Sequence, residues 1–362
     1  MGGTSYNSTF TSSRVAAHKS AGTDIFAHTA AIRSGRTAVG VHELLDPSKP
    51  NSAGKLIRES IDSDVHPESV AIAALFDITG SLGHCPRVFV EKLPNFMSML
   101  TAKGYIAHPH IMFGGIGDAT CDRVPLQLGQ FEGGNEMDDA LTNIYLEGGG
   151  GGQQTESYEL AMYYMARHTK LDCLDKRGKK GYLFIIGDET PYPVIRKSEV
   201  QRYIGDGLEA DIRLSPTYDG WPSNDLNEYY IDPVSGLQEK RPIQGDLLSE
   251  LREKFEVFYI MPAEGSYTDD ERVTDKLRLL FGQNFFMLQK AEDVCELLCM
   301  IIGVTEGYDV NDTASALKSM GSSASSVKAA STAVAHYSAT RTAVAVADSS
   351  LPSSGVDSVS RL

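Results

Sequence analysis

Glu68-Ser-Val-Ala-Ile-Ala-Ala-Leu-Phe-Asp-Ile-Thr-Gly-Ser81 is the stretch on which the reading of this chain turns. From Val70 to Phe76 no side chain is polar, and such a run predicts a strand covered on both faces, the kind found in parallel sheets. It then stops abruptly. Asp77, Thr79 and Ser81 follow at alternate positions around Gly80, so an apolar strand delivers three oxygen-bearing side chains into a tight turn. In open α/β sheets ligands bind beyond the carboxyl ends of the strands, which makes Asp77 a site candidate by position as well as chemistry.

Upstream, residues 1–23 are rich in Ser, Thr, Gly and Ala and read as an arm without its own core. Pro47 to Asn51 reads as a linker, and Gly54–Ile61 as a short helix leading to the first strand. Residues 1–60 are thus expected to form a partly flexible extension, ahead of a domain over 61–310. Downstream, Phe89, Leu93, Phe96, Met97 and Leu100 fall at helical spacing, which predicts a helix over 86–103 opened by Pro86 and closed by Gly104. Ile106–Phe113 and Leu126–Phe131 read as an antiparallel edge pair around a turn at Gly114-Gly-Ile-Gly-Asp-Ala119.

Residues 136–146 read as helical, and five consecutive glycines, 148–152, then break the pattern. Tyr158, Ala161, Met162 and Met165 share a helix face. Tyr182–Gly187 is a second apolar strand ending on a carboxylate, Asp188. Residues 205–243 form an aperiodic insertion containing the sole tryptophan, Trp221. An alternating run follows: a helix near 245–255, the strand Val257–Met261, a helix through Val273 and Leu280, the strand Phe285–Leu288, and a helix through Val294 and Ile302. Residues 311–362 are a Ser/Ala-rich low-complexity tail, expected to be disordered or helical only with a partner.

The 362 residues are 41% hydrophobic, enough for a sizeable core. The net charge of -15 is concentrated in the middle of the chain, where it argues against DNA or RNA binding, because phosphate contacts need clustered Lys and Arg. No run approaches the roughly 18 apolar residues that a membrane span needs. The N-terminus lacks signal-peptide character, and Tyr6 stands where a myristoylation pattern wants Ser or Thr. Five scattered cysteines form no disulfide framework, which points to a reducing, cytoplasmic setting; Cys295 and Cys299 read as core packing.

Three loops line up at one edge of the expected sheet. Asp77, Thr79 and Ser81 follow the first strand, Thr155 follows the glycine run, and Asp188 follows the fourth strand. Two carboxylates and three hydroxyls are hard oxygen ligands of the sort Mg2+ or Mn2+ prefers. This pattern resembles a von Willebrand factor type A domain with its metal-ion-dependent adhesion site. The family's Asp-x-Ser-x-Ser motif matches Asp77, Thr79 and Ser81, its separate Thr matches Thr155, and its last Asp matches Asp188. The resemblance covers roughly residues 66–305. It implies an α/β fold with a doubly wound, mostly parallel sheet and one antiparallel edge strand. It also implies a divalent metal at the sheet top, bound by Ser81, Thr79 and Thr155 directly and by Asp77 and Asp188 directly or through water.

The expected function is a non-enzymatic, metal-dependent protein-binding module, for adhesion or scaffolding, whose metal is completed by an Asp or Glu carboxylate of a protein partner. Tyr218, Trp221, Tyr229 and Tyr230 have the composition of a contact surface, or of a loop packed on its own aromatics. Glu156 and Ser157 read as helix-start residues. The alternative is a phosphohydrolase of the haloacid dehalogenase type. Asp77-Ile-Thr-Gly-Ser81 also resembles a phosphorylation loop with Asp77 as nucleophile, although Tyr192 and Pro193 stand where that superfamily places a further Asp.

Overall fold

A computed structural model of the chain describes residues 3–51, 53–80, 82–149, 154–220, 227–231, 236 and 238–349. Its centre is a six-stranded sheet built from β1 (Val70–Asp77), β2 (Pro109–Ile116), β3 (Leu126–Leu128), β4 (Gly181–Ile186), β5 (Phe255–Pro262) and β6 (Phe285–Leu288), in the spatial order β6-β5-β4-β1-β2-β3. All neighbours are parallel except β3, which runs antiparallel to β2 at the edge. The fold is therefore mixed α/β with a mostly parallel sheet. Every residue of β1 is buried, which is why that strand tolerates no polar side chain before its last position.

The helices that matter here are α1 (Ser8–Ala21), α2 (Cys85–Ala102), α3 (Tyr158–Arg167), α4 (Leu247–Lys254), α5 (Glu271–Phe281), α6 (Val294–Thr305), α7 (Val310–Ser319) and α8 (Ala324–Ser349). Helix α2 begins with Pro86 in its first turn and buries the five apolar residues that its periodicity singles out. Helix α6 is buried from Val294 to Val304, including Cys295 and Cys299, because it packs against α2, α7 and α8 at once. All five cysteines are free thiols. Among the described residues no helix is long and apolar enough to cross a membrane.

Both flanks are docked on the body. Asn7 caps α1 by accepting from the Thr9 and Phe10 amides, and its own N–H donates to Asn135 Oδ1 at 2.8 Å. Arg14 pairs with Asp139 at 2.6 Å, and α1 lies along α2. A short arm without its own core is held by borrowed partners. The tail, expected to be disordered or helical only with a partner, is helical over Val310–Ser319 and Ala324–Ser349, and residues 350–362 lie outside the described residues. In α8, Val327, Ala330, Val334 and Tyr337 recur at helical spacing and are buried, and the small residues let the helix approach α6 closely. Tyr337 stands edge-on to Phe258 and Phe286, each with ring centres 5.8 Å away, and bonds Thr305 Oγ1 at 2.7 Å. Since Thr305 Oγ1 already donates to Ile301 O, the tyrosine is the donor here. We expect Tyr337→Phe to lower unfolding free energy by about 1 kcal/mol, the worth of one such bond, read from chemical denaturation with unchanged slope.

Three further expectations are corrected. Residues 58–60 form not a helix but a short strand, parallel to Thr169–Leu171. The Arg58 guanidinium is buried there, donating to the carbonyls of Asp46 and Lys49, and this tertiary anchoring overrides local propensity. Gly114 and Gly115 belong to β2 rather than to a turn. A Cβ at Gly114 would meet Gln127 O at 2.5 Å and Leu75 Cδ2 at 2.9 Å, so these glycines permit close approach of neighbouring chains. Tyr218 is no exposed contact residue: it is 1% exposed and its hydroxyl donates to Pro191 O at 2.6 Å. Trp221 lies outside the described residues, and Tyr229 and Tyr230 sit on the strand Asn227–Ile231, paired antiparallel with Gln238–Pro242.

Candidate metal centre

The register of the sheet decides which loops meet. Asp77, the last residue of β1, is paired with Ile116, so Gly117 and Asp118 continue on one side of it. On the other side Phe76 is paired with Ile186, which sets Gly187 and Asp188 beside the same turn. Three adjacent parallel strands thus each end on a carboxylate at the carboxyl edge of the sheet. Thr155 and Glu156 reach this edge by pairing with Thr190 and Pro191, two and three residues beyond Asp188. Thr190 N–H and Oγ1–H also both donate to Gln154 O. Gly80 N donates to Gly149 O at 2.7 Å, which brings the first glycines of the run to the Asp77 turn. Asp77, Thr79, Thr155 and Asp188 are all buried at one end of the sheet, whereas Ser81 lies outside the described residues.

The hydrogen bonds around Asp77 have a definite sense. Its Oδ1 accepts from Thr79 N at 2.8 Å and from Thr79 Oγ1 at 2.6 Å, and its Oδ2 accepts from Tyr158 OH at 2.6 Å. The Thr79 hydroxyl proton is therefore committed to the carboxylate, which leaves the hydroxyl lone pairs for another partner. Asp118 repeats the device at the next strand end, accepting from Thr120 N and Thr120 Oγ1 at 2.8 Å each. Asp188 Oδ2 accepts from Ser266 N at 2.5 Å, and a Cβ at Gly265 would fall 2.7 Å from Asp188 Cγ, so glycine lets that loop close over the carboxylate. Gly187 similarly makes room for the hydroxyls of Tyr158 and Tyr259, whose rings meet edge to face at 5.6 Å.

Charge is the dominant feature. Burial first, and Asp188 second, push the Asp77 carboxyl up to about 7 despite the opposing bonds from Thr79 and Tyr158. Burial, Asp77 and Asp188 push Glu189 up to about 8, and burial with Asp77, Glu189, Asp118 and Asp122 pushes Glu156 up to about 12. Glu156 hydrogen-bonds Glu189, while its Oε2 has no partner among the described residues. The largest influences on these three groups are burial and neighbouring carboxylates. Among the described residues no three His, Cys, Asp or Glu side chains stand where they would hold a metal together. The expected set contains only two carboxylates, and hydroxyls make up the rest.

Asp118, Glu156, Glu189 and Tyr158 belong to this site without standing out as site residues in the sequence. A signal is present for Asp118, since Gly117-Asp118 and Gly187-Asp188 end their strands with the same dipeptide and Asp118-Ala-Thr120 repeats the spacing of Asp77-Ile-Thr79. No family model matches the chain, and no curated protein matches it. Two crystal structures of the pilus adhesin SpaC from Lactobacillus rhamnosus GG, one in an open conformation, are similar at 14% sequence identity with TM-scores of 0.39 and 0.40. Each similarity covers 67% of this chain and 31% of the adhesin chain, so the matched region is less than a third of that protein's length.

Proposed function

We propose that the chain is a non-enzymatic, metal-dependent protein-binding module of the von Willebrand factor type A kind, with Asp77, Thr79, Ser81, Thr155 and Asp188 holding one Mg2+ or Mn2+. The observation that carries this reading is a buried group of acidic side chains at the strand ends, in which burial and neighbouring carboxylates are the largest influences raising proton affinity. Such a group is costly unless paired or coordinated. The donor chemistry fits a small hard cation: carboxylates, a Thr79 hydroxyl with its proton directed away, and the orphaned Glu156 Oε2 nearby. The doubly wound form of the sheet belongs to the same proposal, and the antiparallel edge strand β3 supports it. When bound, the ion supplies positive charge for an incoming Asp or Glu side chain of a partner. Asp77 orients Thr79, and Tyr158 in turn fixes Asp77.

Titration of the metal-free chain with Mn2+, followed by electron paramagnetic resonance of the free ion, tests the reading. Saturable binding to one site, competed by Mg2+, supports it, and free Mn2+ throughout the titration sinks it. Incubation with Mg2+ and a generic phosphomonoester discriminates the phosphohydrolase alternative, in which Asp77 would turn substrate over. The present reading expects no hydrolysis above background.

A further inference from the structure

We propose that His66 and His110, at the amino-terminal end of the sheet, bind a divalent transition metal of the imidazole-preferring class, for which Zn2+ is the reference. This end is opposite the carboxylate centre: His108 and Pro109 lead into β2, whose far end is Ile116. Three histidine rings gather there. His66 stands edge-on to His110 with ring centres 5.1 Å apart and to His108 at 5.6 Å. Two imidazoles bound to one tetrahedral ion have ring centres about 5 Å apart, given metal–nitrogen distances of about 2 Å.

The protonation pattern is that of ligating histidines. His66 Nε2 lies 2.8 Å from the carbonyl oxygen of Thr4, which only accepts, so the proton sits on Nε2 and Nδ1 keeps its lone pair. His110 Nδ1 meets Ser60 Oγ at 3.2 Å, and Ser60 Oγ donates on to Ser69 Oγ, which donates to Asp62 Oδ1 at 2.8 Å. This chain ends on a carboxylate and, through a 3.5 Å contact between the two serine hydroxyls, favours the His110 proton on Nδ1 with Nε2 as the acceptor. A ligating histidine whose second nitrogen donates to an oxygen is the usual outer-sphere arrangement of metal sites. The second nitrogens, His66 Nδ1 and His110 Nε2, are each buried with no partner among the described residues. Two buried ring nitrogens without partners on adjacent histidines are an uncommon feature, because each loses its hydration without replacement.

His66 and the half-buried His108 line a cavity of about 320 Å³ that also touches Tyr6 and Met97, and His110 lies buried outside that lining. Gly133 makes room for the His66 ring, since a Cβ there would run into its imidazole. The described residues do not hold three His, Cys, Asp or Glu ligands already assembled, so the remaining positions fall to water or to His108 after rotation. Nitrogen donors select zinc, nickel or copper over magnesium, which separates this site in chemistry from the carboxylate centre.

The test uses the full chain. Zn2+ at about a hundredfold excess over its Kd is expected to raise Tm by about 3 °C in the wild-type chain and in Asp77→Asn alike. The same addition is expected to leave His66→Gln and His110→Gln unmoved. Equal shifts in the histidine variants, or none in the wild type, overturn the proposal. Visible absorption of the Co2+-loaded wild-type chain gives a readout that does not depend on variants folding. Intense bands of a low-coordinate nitrogen-bound ion support the site, and the weak aquo spectrum throughout overturns it.

Discussion

Asp77→Asn is expected to abolish Mn2+ binding while the chain keeps its fold and, without metal, its stability. The substitution is nearly isosteric. The carbonyl oxygen of the new side-chain amide can still accept from Thr79 N and Oγ1, and its NH2 group can donate to Tyr158 OH, so the hydrogen bonds of the turn survive. What disappears is one charge from a set whose members raise one another's proton affinity. Removing it relieves repulsion in the metal-free chain and deprives a cation of its central ligand. If the proposed centre binds, the wild-type chain is expected to gain about 2.7 kcal/mol from metal at a hundredfold excess over Kd, and the variant none. The measurement is Tm with Mg2+ against Tm with chelator, in both proteins. A wild-type chain indifferent to chelator, or a variant stabilised as much as the wild type, contradicts the metal centre directly. Loss of folding in Asp77→Asn would instead mean that the charge itself organises the turn.

The part of this site legible in the sequence is the part carried by strand patterning. Val70 to Phe76 is so consistently apolar that its end, and hence Asp77, needs no tertiary information, and the same holds for Tyr182 to Ile186 and Asp188. Asp118 is obscured because glycine has two meanings. Gly114-Gly-Ile-Gly117 reads as a turn, but Gly114 to Ile116 end a strand, and the missing side chain of Gly114 leaves space for Leu75, Leu128 and the Gln127 carbonyl. That distinction depends on neighbours distant in the chain. Glu156 reads as a helix-start residue for a related reason, since its burial follows from pairing with the loop beyond Asp188. The tail reads as disordered because its Ser, Ala, Val and Thr carry no aromatic weight, and it is distant neighbours, α6, α7 and β6, that give α8 a place to pack. The histidine cluster joins positions 66, 108 and 110 through two loops, and no spacing rule links them.

The second large effect is at the same end of the molecule as the histidines and concerns Asp62. Its carboxylate accepts from Arg177 Nη1 at 2.8 Å and Nη2 at 3.1 Å, from Lys176 Nζ at 3.1 Å, and from Ser69 N and Oγ at 3.0 and 2.8 Å. Its own N–H donates to Asp172 Oδ2 at 2.8 Å. These bonds tie the approach to β1 onto the helix Asp172–Arg177. Arg177 foremost, with Ser69 and Lys176, holds the Asp62 carboxyl well below the usual carboxylate range against the opposing effect of burial. Removing one partner of a well-bonded ion pair typically costs about 3 to 5 kcal/mol when both are buried. Lys176 and Arg177 are partly exposed, so solvent takes up some of that loss, and Asp62→Ala is expected to cost about 2 kcal/mol at neutral pH. Because the folded-state pKa is depressed, this contribution is present above the unfolded value near 3.8 and is lost as pH falls through the lower folded one. Denaturation curves of wild type and Asp62→Ala should therefore lie apart from neutral pH down to about pH 4 and converge below it. A gap that persists undiminished at acid pH would show that the side chain acts through packing rather than charge.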